Sequence, residues 1–197
     1  AFLALVYLFL PIAVVVIFSF NKPEGRQNVT WNQFSLDAWT NICRDPTICD
    51  SVGVSLQIAF VSTLIATLLG TLISFALVRH RFKGRTATNL LIFLPMATPE
   101  VVLGASLLAL FLNLGAPLGT GTIIIAHIMF CISFVVVTVK ARLAGLDPRL
   151  EQAAADLYAD ERATFRYVTL PLVLPGIVSA ALLAFSLSFD DFIITNF

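Results

Sequence analysis

The sequence predicts an all-α membrane protein with five spanning helices, and three observations carry that prediction. Apolar residues make up 58% of the 197-residue chain and charged residues only 12%, against about 25% charged in a soluble domain. The apolar residues fall into five long blocks with almost no charge, and nine of the twelve basic residues fall into just two of the loops between them. So few charges cannot cover a soluble globule of this size. Twelve acids balance the twelve bases, which excludes disorder, an acidic tail and a generic nucleic-acid binder along with the soluble fold. Most of the surface has to face lipid.

A hydrocarbon layer about 30 Å thick needs roughly 20 mainly apolar residues per helix. The first block, residues 1–20, is uncharged and reads as a helix. It lacks the basic start and small-residue cleavage site of a signal peptide. Because the chain begins with Ala1 rather than Met, a preceding segment is expected. The second block is 52–78, the third 90–112 with Glu100 inside it, and the fourth 121–139. The fifth starts near Leu170 and reaches the chain end, with Asp190 and Asp191 close to that end. None is as short or as strictly alternating as a barrel strand. Helices buried in a large soluble core would need amphipathic partners, and the chain has none.

Charge orients the blocks. Arg79, Arg81, Lys83 and Arg85 fill one short loop, and Lys140, Arg142, Arg149, Arg162 and Arg166 fall in the loop 140–169. Cytoplasmic loops carry the Lys/Arg excess, so these two are cytoplasmic, 21–51 and 113–120 lie outside, and the N-terminus is cytoplasmic. Arg79 to Arg85 are expected to anchor at the lipid face. In the outer loop Ser35 is a candidate helix cap, with Phe34 and Trp39 placed for a hydrophobic staple. Trp31 and Trp39 suit the interfacial belt. Cys43 and Cys49 share this loop, either as a disulfide in an oxidising compartment or as two free thiols. Cys131 reads as packing.

The loop 140–169 is the most organised stretch. Asp147-Pro148 is a helix start, an acidic cap followed by proline where its missing N–H costs nothing. Residues 149–157 are alanine-rich and favour helix. Asp160 offers a second cap for a helix over 163–168, and Leu170-Pro171 and Pro175-Gly176 mark the return into the membrane. Two short helices across the cytoplasmic face make a docking surface. The chain has no Gly-rich phosphate loop and no Cys/His metal spacing. Ser106 and Ser133 have no base at a suitable spacing, so no catalysis is expected on the chain.

This loop resembles the cytoplasmic loop of the membrane permease subunits of binding-protein-dependent ABC importers, whose motif runs Glu-Ala-Ala, three residues, Gly, about nine residues, a hydrophobic residue, any residue, Leu-Pro. Ala153 and Ala154 match the alanines, Val168 the hydrophobic residue, and Leu170 and Pro171 the closing pair. The glutamate position is Gln152, with Glu151 one residue early, and the glycine position is Tyr158. Stretches 7–21, 55–85, 127–157 and 187–197 extend the resemblance over nearly the whole chain and make it similar to polyamine (spermidine/putrescine) permeases, in the second of their two membrane subunits.

The resemblance implies a type I ABC importer permease fold with six spanning helices, so that the chain would lack the sixth. The whole of 1–197 would be one transmembrane permease domain, with an extracytoplasmic loop 21–51 and a cytoplasmic ATPase-coupling loop 140–169. Asp147, Glu151, Gln152, Ala153, Ala154, Tyr158, Leu170 and Pro171 would form the coupling segment. The implied partners are a second homologous permease, two copies of a cytoplasmic ATPase carrying ATP and Mg, an external solute-binding protein and the lipid bilayer. Location would be the bacterial inner membrane. Permeases for iron, phosphonate and other small solutes share the scaffold and remain an alternative. A secondary transporter or channel acting alone is the rival class, which the organised loop disfavours, and a membrane-embedded assembly factor is a third.

Three acids lie where a cationic solute would pass. Pro95 and Pro99 sit four apart in the third block, so a kink is expected there, and Glu100 follows it near mid-depth. A charge at that depth faces a cavity or a partner. Glu100, Asp190 and Asp191 match acids of the polyamine permeases, and carboxylates would offset the lost hydration of an ammonium chain. Packing or gating is the alternative for Glu100, and a solvated outer interface or subunit contact the alternative for the aspartates. Phe185, Phe189 and Phe192 share a helix face by spacing and would contact such a cation through their rings, or simply pack. His127 reads as a polar contact between helices.

Overall fold

The computed structural model describes residues 2–25 and 27–196. Within these the regular secondary structure is helical apart from one isolated antiparallel bridge, Asn21 to Phe34. The order is α1 (Phe2–Phe18), α2 (Asp37–Thr40), α3 (Pro46–Arg79), α4 (Arg85–Ala97), α5 (Glu100–Asn113), α6 (Thr120–Ala144), α7 (Arg149–Asp156), α8 (Glu161–Thr164), a π-helical turn (Phe165–Thr169) and α9 (Leu170–Asp190). The chain forms two compact units, Ala1–Gly53 and Val54–Phe197.

Three helical runs are long and apolar enough to cross a membrane, namely Pro46–Arg79, Thr120–Ala144 and the continuous run Glu161–Asp190. A fourth exists if α4 and α5 count as one bent span. The five spans expected from the blocks, with a sixth to follow, are corrected in two places. The first is α1. Its 17 residues rise about 26 Å at 1.5 Å each, short of the hydrocarbon thickness of about 30 Å. It stops because the chain turns into a knot of hydrogen bonds around the buried Asn21. The Asn21 amide donates to Asn28 Oδ1 and to the Thr30 carbonyl, each at 2.7 Å, and its Oδ1 accepts from the backbone N–H of Asn32 at 2.8 Å. Asn28 in turn donates to the Phe18 carbonyl at 2.7 Å, satisfying one of the helix's open acceptors.

The second correction is the block 90–112. Its helix breaks between Ala97 and Glu100 and turns through 111°. Thr98 and Pro99 are both extended, each with ψ 133°. Proline pushes its preceding residue out of the helical region and supplies no N–H. Pro95, by contrast, lies inside α4, so the break belongs to Pro99 alone.

The rest of the first unit differs from expectation in detail. Phe34 and Trp39 do not staple each other; both rings stack on Phe20, at 6.0 and 5.7 Å. Ser35 Oγ accepts from the Asp37 N–H at 3.1 Å, but Leu36 takes the cap position. Helix α3 begins well before position 52 because Asp45 Oδ1 accepts from both the backbone N–H and the hydroxyl of Thr47, at 3.0 and 2.7 Å, with Pro46 as first helical residue. A disulfide joins Cys43 to Cys49 across this start.

The second unit is built on α6 packed along α9. Ala126, Cys131, Val135 and Val139 of α6 and Val173, Ala180 and Ala184 of α9 are wholly buried. From Val54 onward α3 sorts its residues by size. Ala66, Gly70 and Ser74 lie inside at four-residue spacing, while Leu64, Leu68 and Leu72 lie outside. Lipid rewards no burial of large apolar groups between helices, so small residues take the contact and let the backbones approach. At Gly70 a Cβ would stand 2.6 Å from Val135 Cγ1. Beside it Ser74 Oγ donates to the Gly70 carbonyl at 2.7 Å and lies 3.1 Å from the Val136 carbonyl of α6.

Candidate functional site

The loop 140–169 folds from its own cues. Asp147 Oδ1 accepts from the Arg149 N–H at 2.9 Å, and Pro148 has φ −60°, so α7 starts where the sequence places it. Helix α7 ends in a paired-bond cap: the Ala159 N–H donates to the Ala154 carbonyl at 3.0 Å and the Tyr158 N–H to the Ala155 carbonyl at 2.9 Å. That motif needs a left-handed residue at its turn, and Tyr158 supplies it with φ +61°, alone among the described non-glycine residues. This is the position of the family's glycine, and the backbone explains why glycine suits it. A left-handed L-residue is disfavoured by about 1–2 kcal/mol, and the Tyr158 ring is almost wholly exposed, so no packing compensates. Replacing Tyr158 by Gly is therefore expected to stabilise the chain by about 1 kcal/mol, read as a raised thermal unfolding midpoint in detergent. Tyr158→Ala should give no such gain.

The segment after α7 departs from expectation. Asp160 Oδ1 accepts from the Ala163 N–H at 2.6 Å and starts α8. There is no second free helix, because α8 passes through the π-helical turn into α9 without a break. The turn lies just ahead of Pro171, whose missing N–H interrupts the ladder. Leu170 and Pro171 thus begin α9 rather than mark a separate return.

Helix α7 has two faces. Leu150, Ala153 and Leu157, at helical spacing, are exposed, as is Gln152, while Ala154 is buried and Glu151 half-buried. Glu151 makes a two-pronged ion pair with Arg79 at the end of α3, through both guanidinium NH groups. Its Oε1 also accepts from Thr169 Oγ1 in the π-helical turn at 2.7 Å. Arg79 therefore grips α7 instead of anchoring freely at the lipid face. The guanidinium holds the Glu151 carboxyl below the usual carboxylate range, with Thr169 adding to it. These three side chains join a cleft of about 510 Å³ whose walls include Phe75, Glu161 and Phe165. The pair also puts the basic loop and the loop 140–169 at the same end of the unit.

The acids assemble at the other sharp feature, the break at Pro99. Glu100 is the first residue of α5, and its side chain lies against Asp191, with Asp190 and His127 within electrostatic reach. Glu100 and Asp190 are open, whereas Asp191 is only 7% exposed. Asp191 Oδ1 accepts from the Ile194 N–H at 2.8 Å, and the Asp191 carbonyl accepts from Thr195 Oγ1 at 2.9 Å. Its Oδ2 is buried without a hydrogen-bond partner among the described residues. The turn carrying it lies on α5 at Gly104, where a Cβ would come within 3.1 Å of Ile193 Cγ2. Phe185 and Phe189 stack at 6.1 Å. Phe192 lies beyond the end of α9 and so does not continue their face.

Ser62, Ser188 and Thr195, unremarkable in the sequence, join His127 to complete this region. His127 is fully buried, with Nδ1 2.8 Å from Ser188 Oγ and Nε2 3.1 Å from Thr195 Oγ1. Ser188 Oγ lies 3.0 Å from Ser62 Oγ. The chain of contacts thus links α3, α6, α9 and the turn after it. The only signal for it in the sequence was a histidine inside an apolar block. Among the described residues no group of three or more His, Cys, Asp or Glu is arranged to hold a metal ion.

A family model described as the binding-protein-dependent transport system inner membrane component matches residues 63–197. The chain is similar to the spermidine/putrescine transport system permease protein PotC of Haemophilus influenzae, 39% identical over 196 residues that span 100% of this chain and 76% of that protein. It is similar to the putrescine transport system permease protein PotI of Escherichia coli, 38% identical over 202 residues that span 99% of this chain and 71% of that protein. Among solved structures it resembles an amino acid ABC transporter crystallised with histidines, with a TM-score of 0.63 and 18% identity over 79% of this chain and 73% of the other. At that identity the likeness is one of fold.

Proposed function

The chain belongs to the family of binding-protein-dependent transport system inner membrane components, and on that premise we propose that it lines, with a second homologous permease, the path of a small cationic solute, spermidine or putrescine. It is a multi-pass permease subunit of an ATP-driven importer of the inner membrane, with a transport role rather than a catalytic one. Its partners in this reading are two copies of a cytoplasmic ATPase, which hold ATP and Mg, and an external solute-binding protein. The basic loop 79–85 and the loop 140–169 face the cytoplasm; loop 21–51, with its disulfide, faces outside. The chain acts as one permease domain over 1–197.

The observation that carries the cationic substrate is the meeting of Glu100, Asp190 and Asp191 beside the break at Pro99. Carboxylates brought from two sequence-distant segments into an apolar setting are costly unless a cation or proton offsets them. An ammonium supplies that charge, and the stacked Phe185 and Phe189 present rings to its methylenes.

The test is uptake by the reconstituted complex. Glu100→Gln and Asp191→Asn are each expected to raise the KM for spermidine by about tenfold or more, the equivalent of one lost charge-assisted hydrogen bond. ATPase association should be unchanged. An equal loss for a neutral solute would make these acids structural and overturn the cationic reading.

A further inference from the structure

We infer that His127 is a positioning residue for the cation path, holding the Asp191 carboxylate in place through Thr195; this rests on the reading of Asp191 as a substrate contact. The hydrogen bonds fix one end of the imidazole. Thr195 Oγ1 donates to the Asp191 carbonyl, so towards His127 it accepts, and Nε2 must carry the proton and donate. Nδ1 meets the Ser188 hydroxyl at 2.8 Å. The imidazole is a strut with a fixed donor at Nε2. One end is seated on α9 at Ser188, and the other holds the turn that follows it.

That turn has other ties besides His127. It is closed internally by the Ile194 N–H on Asp191 Oδ1 and by Thr195 on the Asp191 carbonyl. Ile194 is fully buried, and Ile193 rests on Gly104. The bond from His127 Nε2 adds a tether to a neighbouring helix, because it acts on the hydroxyl that grips Asp191's own carbonyl. It thereby helps to hold the Asp191 carboxylate beside Glu100. A carboxylate misplaced by a fraction of its hydrogen-bond length binds an ammonium less well without losing its charge.

Glutamine and asparagine separate the two ends of the strut. A glutamine amide nitrogen falls near the place of Nε2, and an asparagine amide falls near that of Nδ1. In the reconstituted importer, His127→Asn is expected to raise the KM for spermidine roughly two- to tenfold, the range of one neutral hydrogen bond, with the maximal rate little changed. His127→Gln should remain near wild type. Thr195→Val should reproduce the asparagine defect, Thr195→Ser should not, and His127→Asn with Thr195→Val should add nothing to either alone.

Equal defects in the Asn and Gln variants, or additivity in the double variant, would overturn the inference. Should both His127 variants fail to assemble, the Thr195 pair decides: equal KM values for Val and Ser sink it. Asp191→Asn separates this from the underlying reading. If that variant leaves KM unchanged, the substrate contact is wrong. If it raises KM while Thr195→Val does not, only the positioning role is wrong.

Discussion

An arginine in place of Ala153 is expected to abolish ATPase association and uptake while membrane insertion continues. Ala153 is exposed and lies between Leu150 and Leu157 on the open face of α7. Those side chains are apolar yet sit on the helix of a charged loop, where a soluble partner can cover them. Eight residues give α7 a length of about 12 Å, so one bulky side chain spoils much of the contact. Burying an unpaired charge there costs several kcal/mol, more than a hundredfold in association. Co-purification of the ATPase and substrate-stimulated hydrolysis in vesicles measure the effect. The neighbouring Ala154→Arg is the contrast: Ala154 is buried against the unit, and its loss should appear as poor assembly of the chain itself. If both variants keep full coupling, the docking face lies elsewhere.

Reversing the charge of Glu151 should uncouple the importer without releasing the ATPase. Glu151 is on the inner face of α7, where it ties the end of α3 through Arg79 and the head of α9 through Thr169. On the proposed reading, movement of α7 by an ATPase would reach two long helices through one carboxylate. With side chains about a third exposed on average, the ion pair itself contributes only about 1 kcal/mol. Its effect on transmission is larger, because Glu151→Arg puts two guanidinium groups together and strands the Thr169 hydroxyl. Transport per ATP should fall severalfold while hydrolysis continues, and Arg79→Glu combined with Glu151→Arg should restore it. No restoration in the exchanged pair would show that the link does not carry the motion. The sign of the pH dependence follows from the depressed carboxyl. The link is complete above the ordinary carboxylate value of about 4.3, and is lost only as pH falls through the lower folded value. Coupling should therefore not decline through this pair at any pH above 5.

Helix α7 and its neighbours were legible in the sequence to differing degrees. Asp147-Pro148 named the start of α7 because capping is settled within three residues. The left-handed turn at Tyr158 was visible only as a departure from the family's glycine, since tyrosine has no preference for that backbone. The separate helix expected over 163–168 is instead continuous with α9. Proline at 171 weakened the ladder without ending it, because the π-helical turn absorbed the missing bond. At 99 the same residue type broke the helix and turned it by 111°. The pairing of Arg79 with Glu151 could not be foreseen, since both suited a solvated or lipid-facing role.

The sequence by itself determined the environment of this protein, the place of its two basic loops and the presence of acids in or beside its apolar blocks. These rest on sums over neighbouring residues: apolar length sets partition into lipid, and Lys/Arg excess sets sidedness. Tertiary structure alone decided that α1 ends at Phe18, because Asn21 gathers hydrogen-bond partners from as far as Gln33. It alone brought Glu100 to Asp191 and linked Ser62 to Ser188 across 126 positions. A polar group buried among apolar helices must find its partner wherever packing brings one, and packing is decided between helices rather than within them.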